Sequence, residues 1–361
     1  MKVVILGAGL LGRLLALALA REGHAVVLHD AKGPQADGAA AWVAAAMLAP
    51  LAESVITEAP VVRMGLHGLT RWPQLLAGLS QPVFFQREGT LILWHRQDAA
   101  QAQLFGQRLH QTVQQLQASP AQAGLELPTP ERLHAPGLQA LEPSLESRFQ
   151  HGIYLPQEGQ LDNRALLVAL LHELTLLGVA QHWQSPQDLA SARRLHPDAD
   201  WVIDTRGMGA QPNLPGLRGV RGEVVRVHAP DVQLSRPTRL LHPRYPIYIA
   251  PKPEGVFVIG ATEIESEDLS PASVRSCMEL MSAAYAVHPG FGEARILEIG
   301  VQARPTLPDN LPRIDCPEAG VMRINGLYRH GYLISPAVVD AALARLLQGS
   351  DDLAQQWQLC A

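Results

Sequence analysis

Met1-Lys-Val-Val-Ile-Leu-Gly7-Ala-Gly9-Leu-Leu-Gly12 is the stretch on which the fold turns. An apolar run, residues 3–6, ends in Gly7-x-Gly9-x-x-Gly12 and passes directly into a helix-forming segment, residues 13–21. Strand, tight turn and helix in that order make a dinucleotide-binding site. Gly7 permits the turn, Gly9 lets the backbone approach a pyrophosphate, and Gly12 lets helix and strand pack closely. The helix N-terminus adds unpaired N–H groups and a partial positive charge. A second apolar run, residues 25–28, leads to Asp30, 23 residues after Gly7. An acidic side chain at that place accepts from a ribose 2′-OH and disfavours a 2′-phosphate. FAD or NAD is expected rather than NADP.

The same segment invites a second reading, as a signal peptide or membrane span. Three glycines and Arg13 interrupt it, and the run falls short of the ~20 residues a span needs. No small-residue cleavage site precedes a mature start, because the βαβ pattern continues. A length of 361 residues suits two intimately joined domains. With 47% hydrophobic and 17% charged residues, the composition is that of a globular enzyme. A net charge of −5 gives no basis for a nucleic-acid partner. Cys277, Cys316 and Cys360 are widely spaced, which argues against a disulfide framework or a structural zinc site. No metal and no membrane span are expected, and the cytoplasm is the default location.

Along the chain, residues 54–79 read as helix. Residues 83–94 read as a hairpin, two strand-like runs around a Gly-containing turn. Leu104, Leu109, Val113 and Leu116 recur at helical spacing in a Gln-rich surface helix over 99–118. Asp162 or Asn163 is a suitable N-cap for a further helix. Strands are expected at 200–207, 220–228, 245–250, 255–261, 295–301 and 321–326, with a helix at 273–286. A last helix, 335–347, would carry Pro336 in its first turn. The result is an α/β protein: a Rossmann-type nucleotide-binding domain in discontinuous pieces, interrupted by an antiparallel-sheet substrate domain. The division falls at 1–80, 141–218 and 302–361 for the first, and 81–140 and 219–301 for the second. Only one GxGxxG is present, which disfavours separate FAD and NAD Rossmann units.

Further motifs accompany the fingerprint: Ala44-Ala-Ala-Met47-Leu48-Ala-Pro50-x-x-Glu53, Gly159-x-Leu161-Asp162-Asn163, and Arg221-Gly222-Glu223-Val224. Tyr248-Ile-Ala-Pro251, Val258-Ile-Gly260-Ala261-Thr262-Glu263, Ala303-Arg304-Pro305-x-x-Pro308-Asp309 and Gly326-Leu327-Tyr328-Arg329-His330-Gly331-Tyr332-Leu333 complete the set. In this order the chain resembles the FAD-dependent D-amino-acid oxidase superfamily, and within it the glycine oxidase branch of thiamin biosynthesis. The resemblance implies non-covalent FAD held by Gly7, Gly9, Leu10, Leu11, Gly12, Asp30 and Gly207. Ala46, Met47 and Leu48 would lie along the isoalloxazine ring. Arg329, His330, Gly331, Tyr332 and Leu333 would line its pyrimidine edge, with the Pro336 helix N-terminus facing the N1–C2=O locus. Arg304 would hold the substrate carboxylate, assisted by Tyr248 and Arg329. Three departures stand out: Ala46 replaces the usual Gly, Glu263 replaces an apolar residue, and positions 204–206 read Asp-Thr-Arg. A Glu263 carboxylate facing the pocket would select a cationic amine.

The residue types support this chemistry. One fixed anion on an α-amino acid calls for a planar guanidinium making two parallel hydrogen bonds. Arg304 is a candidate, although with 26 arginines in the chain a surface ion pair is the ordinary alternative. Tyr248 is either a ligand or a core ring, and its hydroxyl needs a partner in both cases. His330 reads as structural rather than as a base. No Ser/His/Asp or paired-carboxylate arrangement emerges, and flavin oxidation of an amine needs none, because the cofactor carries the hard step. The expected reaction is hydride transfer from glycine or a small D-amino acid to FAD, giving imine or oxo acid, ammonium and H2O2. Alternatives are a quinone-linked amino-acid or secondary-amine dehydrogenase, a nucleotide-binding module without turnover, and an oxidase of modified nucleosides. Partners are thus a small amine and O2 or a quinone, with a homo-oligomer left open.

Overall fold

Val3, Val4 and Ile5 are fully buried in the central strand of a six-stranded sheet. A continuous apolar run is what a parallel strand covered on both faces requires. A computed structural model describes residues 1–118, 127–145, 148–244 and 246–360. Lys2–Leu6 pairs in parallel with Ala25–His29 on one side and Trp201–Asp204 on the other. Ala180–His182 and Val321–Asn325 extend the sheet in parallel, and Arg313–Asp315 closes it as an antiparallel edge. The sheet therefore draws on three separated stretches of chain. Leu10–Arg21, Asn163–Leu176 and Gly331–Leu343 supply helices to the same hydrophobic core. Asp162 is the N-cap of the second, accepting from Arg164 N and Ala165 N at 2.9 Å each.

A second, eight-stranded sheet runs in the order Arg295–Thr306, Arg218–His228, Val256–Gly260, Ile247–Lys252, Thr238–Leu241, Thr90–Trp94, His151–Leu155, Glu131–His134. Its pairs are antiparallel except one: Thr238–Leu241 and Thr90–Trp94 lie in parallel, joining two distant segments. Tyr245, the first residue of one expected strand, lies outside the described residues. A small third sheet sets Gly159–Leu161 between Met47–Leu48 and Phe85–Gln86.

Four local expectations are corrected. The hairpin at 83–94 does not form, because Phe85–Gln86 and Thr90–Trp94 belong to different sheets. Gly89 (φ +83°) makes the crossing, and a Cβ there would meet the Tyr154 ring at 2.2 Å. The helix at 54–79 begins only at Ala59, with Pro60 in its first turn, after a separate turn of helix at Pro50–Glu53. The strand expected to end at 301 continues to Thr306, since residues 218–226 offer it a partner in continuous register that pairs Val220 with Arg304. Pro305 is tolerated there because the strand is at the sheet edge. Finally, the last long helix starts at Gly331, so Pro336 sits in its interior. Pro336 leaves the Tyr332 carbonyl without its helical donor. The buried Trp72 indole donates to that carbonyl at 2.9 Å instead. Among the described residues no helix is long and apolar enough to cross a membrane.

Candidate active site

A cavity of about 1230 Å³ runs from Gly7 and Asp30 at one end to Tyr248 and Arg304 at the other. Backbone builds the first end. Gly7 adopts φ +94°, and a Cβ on it would lie 2.7 Å from the Thr205 carbonyl. A Cβ on Gly12 would lie 1.9 Å from the Gly7 carbonyl. Gly12 does not itself line the cavity; it lets the helix sit on the strand. Gly9 is different, because a Cβ there would meet only the Ala39 Cβ, at 3.8 Å. Its open side leaves the helix N–H groups accessible to a phosphate. Asp30 accepts from Ala8 N at 2.6 Å and Lys32 N at 2.7 Å, and faces the cavity.

Sequence reasoning gave Arg13 no role beyond interrupting an apolar run. It is buried and donates to the carbonyls of Ala8 (2.7 Å), Leu167 (2.6 Å) and Pro34 (2.6 Å). These bonds clamp the glycine turn to a neighbouring helix and to the loop after Asp30. Burial lowers the guanidinium to about 10, which leaves it charged at neutral pH. The Asp204-Thr205-Arg206 departure is also local structure. Arg206 pairs with Asp204 at 2.6 Å, and the Thr205 hydroxyl donates to the carbonyls of Leu6 and Gly7. Gly207 lines the cavity beside them.

At mid-cavity, Ala46 holds φ +53°, a left-handed conformation that costs an L-residue roughly 1–2 kcal/mol. Glycine would adopt it freely. Met47 lines the cavity, whereas Leu48 is fully buried in the core and does not, contrary to expectation. Successive strand residues point to opposite faces, so both cannot face one ligand. Lys252, one of only three lysines, is buried behind this segment and donates to Ala45 O (2.8 Å), Leu161 O (2.8 Å) and Gln160 Oε1 (3.1 Å). Burial lowers its ammonium to about 7. Gly331, Tyr332 and Leu333 also line the cavity, at a helix N-terminus, and a Cβ on Gly331 would meet nothing within 4 Å. The Tyr332 hydroxyl reaches away, donating to Ala41 O at 3.0 Å.

Charged side chains build the far end. Arg304 donates to the Thr262 carbonyl at 3.0 Å and lies across Gly222, where a Cβ would stand 2.3 Å from its Nη2. No carboxylate of the described residues pairs with it. The Tyr248 hydroxyl, near Arg304, has no hydrogen-bond partner among the described residues; burial raises its phenol. Arg329 is held at three points: its Nη1 donates to Glu263 at 2.9 Å, its Nη2 to the Ile56 carbonyl at 3.2 Å, and its buried Nε stands 3.3 Å from Glu53 without a hydrogen bond. Glu53 also pairs with Arg239. Burial raises the Glu53 carboxyl, but Arg239, Arg329 and His330 outweigh it and hold it at about 2. Glu263 accepts from the Tyr328 hydroxyl at 2.6 Å as well as from Arg329. Burial, with Glu263 beside it, raises Tyr328 to about 12, so it remains a donor. His330 is bonded to Thr57 at 3.1 Å, and burial lowers it to about 4, so it is neutral.

Residues 2–345 match a family profile described as FAD dependent oxidoreductase, DAO. The chain belongs to this family of FAD-dependent oxidoreductases. The DAO-family enzyme is 39% identical over 347 residues to a Rhizobium etli protein described as a thiamine biosynthesis oxidoreductase, ThiO, covering 96% of this chain and 97% of the relative. A glycine oxidase from Geobacillus kaustophilus superposes with a TM-score of 0.78 at 24% identity, over 98% of both chains. An iminodiacetate oxidase, IdaA, from Chelativorans sp. BNC1 does so with 0.77 at 23% identity, over 96% of this chain and 95% of that one. These two likenesses bear on the fold.

FAD is the cofactor of the family, and the cavity suits it. The space beside Gly9 and Gly331 opens two helix N-termini toward the cavity, as a pyrophosphate and an electron-accepting ring require. Of the residues expected at the site, all but Gly12 and Leu48 line this one cavity. Glu53, Arg239, Lys252 and Tyr328 had no assigned role. Glu53 stood inside a quoted motif, and Lys252 was a rare lysine in an apolar strand. Arg239 carried no sequence signal at all.

Proposed function

We propose that this oxidoreductase oxidises glycine or another small amino acid, with O2 as electron acceptor and H2O2 as product. The observation that carries the reading is Arg304, a guanidinium that pairs with no carboxylate among the described residues, beside a Tyr248 hydroxyl that has no hydrogen-bond partner among them. Such a pair fits one substrate carboxylate, the guanidinium by charge and the phenol by donation. The relatedness to a ThiO protein and the fold shared with a glycine oxidase support it. Bound FAD supplies the hydride acceptor for the substrate Cα–H.

The chain's own residues bind and orient. Arg304 and Tyr248 hold the carboxylate, so the Cα–H has one direction in which to point. Glu53 and Glu263 are ion-paired, and the His330 imidazole, bonded to Thr57 and lowered by burial to about 4, is too weak a base, so none stands ready to deprotonate an ammonium. The substrate therefore reacts from its neutral amine, and kcat/KM should rise with pH through the amine's own titration. Cys277, Cys316 and Cys360 lie outside the cavity lining, so FAD has no thiol there to link to. The product imine hydrolyses in water to an oxo acid and ammonium.

Glycine added without oxygen should bleach the visible flavin bands, and readmitting air should restore them with equimolar H2O2. Persistence of the bands with glycine and with small D-amino acids alike would refute the substrate class. Bleaching followed by recovery only with a quinone would refute the oxidase. Arg304→Ala should lower kcat/KM for glycine about a thousandfold while FAD stays bound, the loss of a charge-assisted pair. Unaltered kinetics would remove Arg304 from the site.

A further inference from the structure

Three guanidiniums and two carboxylates meet at the substrate end of the cavity: Arg239, Arg304, Arg329, Glu53 and Glu263. Arg239 is taken by Glu53, and Arg329 by Glu263 and Glu53. Arg304 alone among the three keeps its charge open. Arg206 is paired with Asp204, and Arg108, Arg244 and Arg275 are exposed. Glu263 is half-exposed and follows Thr262, whose carbonyl holds Arg304. Its charge thus stands close to whatever Arg304 binds, while its oxygens occupy Arg329 and Tyr328.

We propose that Glu263 sets the charge of the substrate. By holding Arg329, and by its own negative charge, it confines the site to amines that carry one carboxylate and turns away those that carry two. The inference rests on the reading that an amino acid binds at Arg304. Arg329 is positioned by Glu263, and the Glu263 carboxylate acts on specificity through that pair and through repulsion. A cationic amine gains little from an anion already neutralised by a guanidinium and a phenol hydroxyl. Repulsion of a second anion is screened by the same partners, so exclusion rests chiefly on Arg329 being occupied, which leaves a second carboxylate no guanidinium to pair with.

The test compares two ligands on the FAD-loaded enzyme by calorimetry: glycolate, with one carboxylate, and iminodiacetate, with two. Glu263→Gln keeps the shape and removes the charge. It should tighten iminodiacetate at least tenfold while glycolate changes less than threefold. Glu263→Met should do the same, and Glu263→Asp, which retains the charge, should discriminate as the parent does. Equal tightening of both ligands, or no change in either, would overturn the proposal. Because binding is read without turnover, the outcome separates from that of the glycine test. A chain that neither glycine nor another small amino acid reduces loses the proposed function, whereas one so reduced but with unaltered ligand preference in Glu263→Gln loses only this inference.

Discussion

The two ends of the cavity are made of different material. At the Gly7–Asp30 end, backbone geometry does the work: a left-handed glycine, a close approach at Gly12 and an open one at Gly9, with Arg13 clamping carbonyls from behind. At the Arg304 end, long side chains from five separate stretches of chain neutralise one another around a single open guanidinium. The first end depends on what a Cβ would strike. The second depends on charge balance, which any single substitution upsets.

Glu53→Gln should break the charged end most severely. It leaves Arg239 and Arg329 without their shared counter-ion, a loss of about 3–5 kcal/mol when one member of a buried pair is removed. Chemical denaturation would measure it, and a loss under about 1 kcal/mol would show that the arginines find water or other acceptors. The pH profile carries the same signature. The Glu53 carboxyl is lowered in the folded state, so its stabilisation is present above the unfolded value of 4.5 and is lost as pH falls toward about 2.

The backbone end separates into two glycines with different duties. Gly12→Ala should destabilise the apoprotein by about 3 kcal/mol, because the obstacle is backbone that cannot step aside. Gly9→Ala should leave the apoprotein's stability within about 0.5 kcal/mol and instead reduce the FAD retained through gel filtration. Equal behaviour of the two variants would collapse the distinction between packing and ligand approach.

Lys252 joins the two regimes, a charge used to hold backbone. Its ammonium falls from 10.5 to about 7 on folding, so the unfolded chain binds the extra proton between those values. Stability should therefore gain from this group as pH rises from about 7 to 10. Thermal unfolding of Lys252→Met across that range should lack the gain, and a parallel slope in both proteins would assign it elsewhere. The smallest effect belongs to Ala46→Gly, which relieves the left-handed strain but loosens the unfolded chain, for a net stabilisation of up to about 1 kcal/mol. A loss of stability would mean that the Ala46 methyl packs better than its backbone suggests.

How much was legible follows the same division. Asp162 as a cap, the helix Ala99–Ala118 with Leu109 and Leu116 inward, and the fingerprint strand all express short-range rules, although Leu104 of the expected stripe is exposed and Phe105 is buried instead. The hairpin at 83–94 failed because a Gly-containing turn cannot reveal that its flanking strands join different sheets. Pro336 was misplaced because its cost is met by Trp72, more than 200 residues away in sequence. Leu48 was assigned to the ligand because a motif names neighbours without saying which face each takes.

The sequence alone determined the nucleotide end and the family, since turn, close approach and helix start lie within twelve residues and depend on backbone that each residue type permits or forbids. Only the tertiary structure decided which arginine is free. Arg239, Arg304 and Arg329 are alike as residues, and a guanidinium becomes a binding group or a structural one according to the carboxylates that folding brings beside it.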